Sequence, residues 1–182
     1  TQLREANAAL IAHSYTDALT GLPNRRAIFE DLTTLFSLAR HLKRNAIIAF
    51  IDLDDFKLIN DRYGHEAGDQ FLIEVGKRLT EEKQQDDIIG RLGGDEFLVA
   101  SLSQPHQDGD NAQLTLLKTR LSACIAGEYW LGSVHIIYPG ASFGVIEVDP
   151  AATDPDSALR AADVAMYQDK KGKSKSRFLT MD

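Results

Sequence analysis

Residues 89–100 read IGRLGGDEFLVA: two apolar, strand-like runs that close on Gly93 and Gly94. A Gly-Gly pair between such runs is a hairpin signal, because the turn needs positive φ angles that other residues resist. Two carboxylates, Asp95 and Glu96, follow at once, so the hairpin would hold both acids rigidly beside a sheet. Upstream, AIIAFIDLD at 46–54 is a continuous apolar run ending in acids. That pattern marks a strand buried on both faces with a polar C-terminal tip. If the hairpin lies beside this strand, Asp52 joins Asp95 and Glu96 in one small space.

Around these two segments the chain alternates helices and strands. RRAIFEDLTTLFSLARHL at 25–42 predicts a helix capped by Asn24. A second helix is expected over 70–82, after DFKLINDRYGHEAGD at 55–69, with others near 112–126 and 157–169 and strands within 129–140 and 141–149. Helices interleaved with strands over 182 residues predict a single α/β or α+β domain, a central mixed sheet under helices. Residues 1–14 repeat apolar positions at Leu3, Ala6, Leu10 and Ile11, an amphipathic helix that either packs on the domain or ends a linker from upstream.

Composition narrows the function classes. A net charge of −7 argues against a nucleic-acid coat, which needs a basic face. The exception is KKGKSKSR at 170–177, five cations in eight residues, a solvated tail or a local phosphate contact. Cys124, the single cysteine, sits in an apolar run and reads as an inert thiol in a reducing compartment. No apolar run reaches the roughly 20 residues that span a bilayer. The expectation is a soluble, cytoplasmic chain with no membrane contact from this segment. Its start at Thr1 points to a missing upstream part.

Three clustered carboxylates repel one another and raise each other's pKa, so a counter-ion must be supplied. A hard divalent cation such as Mg²⁺ suits carboxylate, water and phosphate oxygens. The turn after Asp52 offers backbone N–H groups to phosphate, Lys57 adds a cation, and Gly93 and Gly94 leave room for a phosphate ester to approach. Asn60 and Asp69 have the donors and acceptors to read a guanine edge. Each feature alone has a plain structural explanation: a turn, a solvated strand end, a helix cap. Their combination points to a metal-dependent nucleotide site.

The motifs resemble those of the GGDEF family of bacterial diguanylate cyclases, which join two GTP molecules into cyclic di-GMP. RLGGDEF at 91–97 resembles its signature, DALTGLPNRR at 17–26 its N-terminal loop, FIDLDDFKLINDRYGHEAGD at 50–69 its nucleotide segment and AADVAMYQDKKGK at 161–173 its last helix. The resemblance implies a fold like nucleotidyl-cyclase and polymerase palm domains, a mostly antiparallel five-stranded sheet flanked by helices, over 15–182. It implies Mg²⁺ or Mn²⁺ held by Asp52, Asp95 and the Leu53 carbonyl. Asp95 would also act as base toward the 3′-hydroxyl, Glu96 would support the second metal position or that hydroxyl, and Lys57 would steady the triphosphate. Asn60 and Asp69 would read guanine with Phe56 and His65 near the nucleotide, Gly93 and Gly94 beside it, and Lys170 on the terminal phosphates. A homodimer would complete the reaction, under control of an upstream sensory domain through residues 1–14. The alternative is a catalytically silent module that binds GTP or a protein partner.

Two departures stand out. Many members carry Arg-x-x-Asp ahead of the signature as a product-inhibition site; here 84–87 reads QQDD, leaving Asp87 but putting Gln84 in place of Arg. Near the C-terminus KKGKS is one residue shorter than the usual Lys-x-x-Gly-Arg-Asn, with Lys173 where Arg is expected, so the phosphate contact stays open between Lys170 and Lys171.

Overall fold

The computed structural model describes residues 1–105, 111–173 and 179–180. Strand β1 (Ala46–Asp52) is buried at all seven positions. Its alternating side chains serve two cores. Ala49 and Ile51 join Phe71, Leu72, Val75, Leu121 and Ile125 on one face; Ile48 and Phe50 join Ile28, Leu32, Phe36, Ala162 and Met166 on the other. This two-sided burial is why the segment reads as an unbroken apolar run.

β1 pairs antiparallel with β3 (Glu96–Leu102) and with β6 (Ser142–Val148), and β3 pairs with β2 (Ile88–Gly93), giving the order β2-β3-β1-β6. Helices α2 (Arg25–Leu42) and α6 (Pro155–Lys171) cover one face of the sheet. The other face carries α3 (Phe56–Tyr63), α4 (His65–Glu82) and α5 (Ala112–Ile125). Asn24 caps α2 as expected, its side chain accepting the Ala27 N–H at 3.0 Å. Asp154 caps α6 in the same way through Ser157 N, with Pro155 entering the first turn.

The expected fifth strand is not in this sheet. β4 (Gly127–Leu131) and β5 (Val134–Tyr138) form a separate three-stranded sheet with β7 (Leu179–Thr180). Gly127 (φ 121°) and Gly140 (φ 138°) bracket the β4–β5 hairpin and turn it out of the main plane. Tyr129 and Tyr138 then meet the Phe71 ring edge-on, each with centroids 4.7 Å apart. A second correction concerns 55–69, which holds α3 and the start of α4. The two helices meet at Gly64 (φ 92°), and α3, with eight residues, is too short to announce a helical period on its own.

α6 lies directly on β6 because Gly144 has no side chain. A Cβ there would stand 2.0 Å from the Ala162 carbonyl oxygen and 2.4 Å from Met166 N. Helix α1 (Gln2–Tyr15) leaves Leu3, Leu10 and Ile11 exposed and is held at its C-terminal end, where Asn24 Nδ2 donates to Ser14 O and Tyr15 Oη to Glu30 Oε1, both at 3.0 Å. The Cys124 thiol is half-buried and pushed up to about 11, chiefly by burial, as an inert thiol should be. No helix among the described residues is long and apolar enough to cross a membrane.

Candidate functional site: the tip of β1

The register of the sheet builds the site. Asp52, the last residue of β1, stands opposite Glu96 on β3 and opposite Ser142 on β6. The Leu53 N–H donates to Asp95 O at 3.1 Å, which ties the β1 tip to the signature turn. Gly93 (φ 142°) and Gly94 (φ 49°) make that turn after a bulge between Arg91 and Gly93. Both angles exclude a residue with a Cβ without strain, so the pair is a geometric requirement of the hairpin.

Arg91 fixes the turn from outside. Its Nε and a terminal nitrogen donate to Gly94 O at 3.0 and 2.8 Å, and its other terminal nitrogen is 3.0 Å from both Asp17 carboxylate oxygens. Burial opposes the charge on Asp17, but hydrogen bonds from Thr20 and the Arg91 guanidinium outweigh it and hold the carboxyl below its usual value. The DALTGLPNRR loop is therefore a brace: it also receives Arg91 N on Pro23 O at 2.9 Å, and Arg25 Nε reaches Leu92 O at 3.3 Å.

The acids at the tip are under electrostatic stress. Asp52 is 8% exposed, and burial followed by the charge of Asp95 raises its pKa, only partly offset by Lys170. Burial, Asp52, Asp163 and Asp95 likewise raise Glu96, with Arg25 opposing them. Lys170 Nζ lies 3.2 Å from Asp52 Oδ1. Burial disfavours its charge, but Asp52, Asp54 and Asp95 more than compensate, and its pKa rises.

The geometry separates the three lysines of this stretch. Lys170 faces Asp52; Lys171 lies over the Tyr167 ring, 4.6 Å from its centroid; Lys173 pairs with Asp54 Oδ2 at 2.9 Å and also donates to Ala141 O. The rest of the basic run, 174–177, lies outside the described residues. Asp54 is a hub that the sequence did not single out: Ser142 Oγ donates to its Oδ1 and Tyr138 Oη to its backbone oxygen, both at 2.7 Å. Three elements thereby pin the β1–α3 loop.

The remaining residues of the expected site line α3 and α4. Lys57 and His65 are exposed, as is Asp69, and none has a side-chain hydrogen bond or ion pair among the described residues. Asn60 projects from α3 onto α4 beside Gly68, one residue before Asp69. Phe56 stacks on Phe71, centroids 6.4 Å apart at 20°. The fold thus draws Asp52, Leu53, Asp95, Glu96 and Lys170 together and sets Phe56, Lys57, Asn60, His65 and Asp69 on the adjoining helix pair.

The donor set suits a hard divalent cation. It consists of Asp52 at the end of β1, Asp95 in the signature turn, Glu96 at the start of β3 and the Leu53 carbonyl, and its acids outnumber the cations near them. Among the described residues no three Asp, Glu, His or Cys side chains already form a cage. Mg²⁺ uses a few protein oxygens and takes the rest of its shell from water and substrate phosphates.

The sequence matches the family described as "Diguanylate cyclase, GGDEF domain" over residues 14–176. The chain belongs to the GGDEF family. Diguanylate cyclase DgcP of Escherichia coli (strain K12) is 65% identical over 178 residues, 98% of this chain and 51% of that protein. This GGDEF domain therefore spans about half the length of that curated relative. The cyclic di-GMP phosphodiesterase PdeR of the same organism is 35% identical over 94% of the chain but only 25% of its own length. A sensory box/GGDEF family protein from Caulobacter crescentus has the same fold, with a TM-score of 0.80 and 31% identity over 87% of this chain and 99% of that one. Since GGDEF domains occur in proteins named for opposite activities, the residues of the site have to carry the functional argument.

Proposed function

We propose that this domain is a diguanylate cyclase: two GTP molecules condense to cyclic di-GMP and two pyrophosphates, each 3′-hydroxyl attacking the other's α-phosphate. The observation that supports this most is the convergence of Asp52, Asp95 and Glu96 at a rigid strand tip, with the signature turn intact and Lys170 as counter-ion. Asp52, Asp95 and the Leu53 carbonyl would hold Mg²⁺ or Mn²⁺, which supplies charge neutralisation of the phosphoryl group and a lower hydroxyl pKa. Asp95 takes the proton of the attacking 3′-hydroxyl, and Glu96 supports that hydroxyl. The glycines let the phosphate ester approach the backbone. Lys57 and Lys170 bind the triphosphate and stabilise charge as pyrophosphate leaves. Asn60 and Asp69 select guanine, with Phe56 and His65 beside it.

One site holds one GTP, so two domains meet face to face as a homodimer and the pairing is part of catalysis. Residues 1–14 act as the linker through which an upstream sensory domain controls that pairing. GTP as substrate places the domain in the cytoplasm.

The deciding experiment is a chromatographic assay of the purified chain with GTP and Mg²⁺ or Mn²⁺ at several protein concentrations, beside Asp95→Ala. Cyclic di-GMP is expected with more than first-order dependence on protein and none in the variant. No product at any concentration, with GTP still bound, would leave a silent GTP receptor.

Product feedback is expected to be weak or absent. Gln84 lacks the two-pronged cation that grips phosphate or guanine, and Asp87 Oδ2 already accepts Gln84 N at 3.0 Å. Gln84→Arg should tighten inhibition by added cyclic di-GMP; tight inhibition of the unaltered chain that depends on Asp87 would overturn this.

A further inference from the structure

We infer that Gly68 is a positioning residue for base recognition, because the volume of its missing side chain is occupied by the Asn60 carboxamide. The inference rests on reading Asn60 and Asp69 as the pair that meets guanine. A Cβ at Gly68 would stand 1.8 Å from Asn60 Oδ1 and 2.9 Å from its Cγ, with Phe56 Cε2 at 3.5 Å. Contacts that short do not occur, so any side chain at this position would expel the carboxamide.

The surroundings leave the carboxamide little choice of where to go. Gly64 N donates to Asn60 O at 2.9 Å and Gly68 N to Gly64 O at 3.1 Å, which fixes the backbone of both helices across the α3–α4 corner. Phe56, the neighbouring wall, stacks on the fully buried Phe71 and cannot retreat without opening the core. Asn60 must therefore rotate away from α4. Asp69, the next residue along, is carried by the α4 backbone and keeps its place.

This separates position from folding. Gly68 is not among the residues with positive φ, so alanine fits the backbone there, and alanine is the better helix former. The glycine is costly for α4 by propensity alone; what it provides is space for Asn60.

The test uses non-reactive α,β-methylene analogues of GTP and of ITP, which lacks the 2-amino group, in equilibrium titrations of the whole chain. Gly68→Ala is expected to weaken both analogues about tenfold, the loss of one well-placed hydrogen bond. The GTP-to-ITP ratio should hold, because Asp69 reads the 2-amino group. In an Asn60→Ala background, Gly68→Ala should have no further effect. Wild-type affinity in Gly68→Ala, an equal loss with Asn60 already removed, or a collapsed GTP-to-ITP ratio would each overturn the inference. If the unaltered chain binds neither analogue, the nucleotide reading itself fails, and this inference with it.

Discussion

Replacing Asp52 with Asn is expected to make the domain more heat-stable at neutral pH while lowering GTP turnover by roughly a thousandfold or more. The two effects share one cause. Asp52 is almost fully buried and faces the charge of Asp95, and these outweigh its contact with Lys170, so its folded pKa lies above the ordinary 3.8. An acid whose pKa is raised by folding binds its proton more tightly in the native state. Its charge then opposes folding at any pH above the raised value, and that penalty fades as pH falls toward 3.8. Asparagine keeps the shape and removes the charge, but no longer offers an anionic oxygen to a cation. The advantage of Asp52→Asn in melting temperature should therefore be full near pH 7 and shrink on acidification. Calorimetry across that range beside the chromatographic assay checks both halves. A variant that melts lower than the wild type at neutral pH, or that keeps its turnover, would show that the cluster is not a strained cation site.

The parts of the site legible in the sequence are those where one local pattern has one physical explanation. The run at 46–54 reads as a doubly buried strand because every position of β1 is inside. Gly93 and Gly94 announce a turn because the turn needs their positive φ angles. The antiparallel pairing that sets Asp52 opposite Glu96 follows once these strands are neighbours. What stayed hidden depends on contacts between distant residues. Arg91 reaches Asp17 across 74 positions, and the only local hint is a lone cation within an apolar hairpin, which requires a partner. The Asp54 hub gathers Tyr138, Ser142 and Lys173 from three elements, and no spacing rule links them. The α3–α4 corner was obscured by brevity: α3 has eight residues and buries only Ile59. The strand count failed because β4 and β5 have ordinary strand patterns. Their departure from the main sheet is decided by the glycines at their ends and by the aromatic packing of Tyr129 and Tyr138 on Phe71.

Gly144→Ala is expected to destabilise the domain by about 3 kcal/mol, the upper end of overpacking costs. That corresponds to a fall of roughly 6–12 °C in Tm for a domain of this size. The atoms that a Cβ would meet, Ala162 O at 2.0 Å and Met166 N at 2.4 Å, belong to the helix backbone and cannot rotate aside. Relief needs α6 to retreat by more than an ångström, which opens the layer where Ala162 and Met166 pack against Ile48 and Phe50. The retreat carries function with it, because Lys170 sits in the last turn of the same helix and Lys173 follows just past its end, holding Asp52 and Asp54. A variant still folded at 20 °C should accordingly show a raised KM for GTP, as the lysine reaching the triphosphate is withdrawn. Gly172, at the end of the same helix, meets nothing closer than 3.6 Å, so Gly172→Ala is the control and should leave Tm within a degree or two. Equal melting of the two variants would mean that β6 and α6 can separate freely, and that the close approach at Gly144 does not set where the lysines stand.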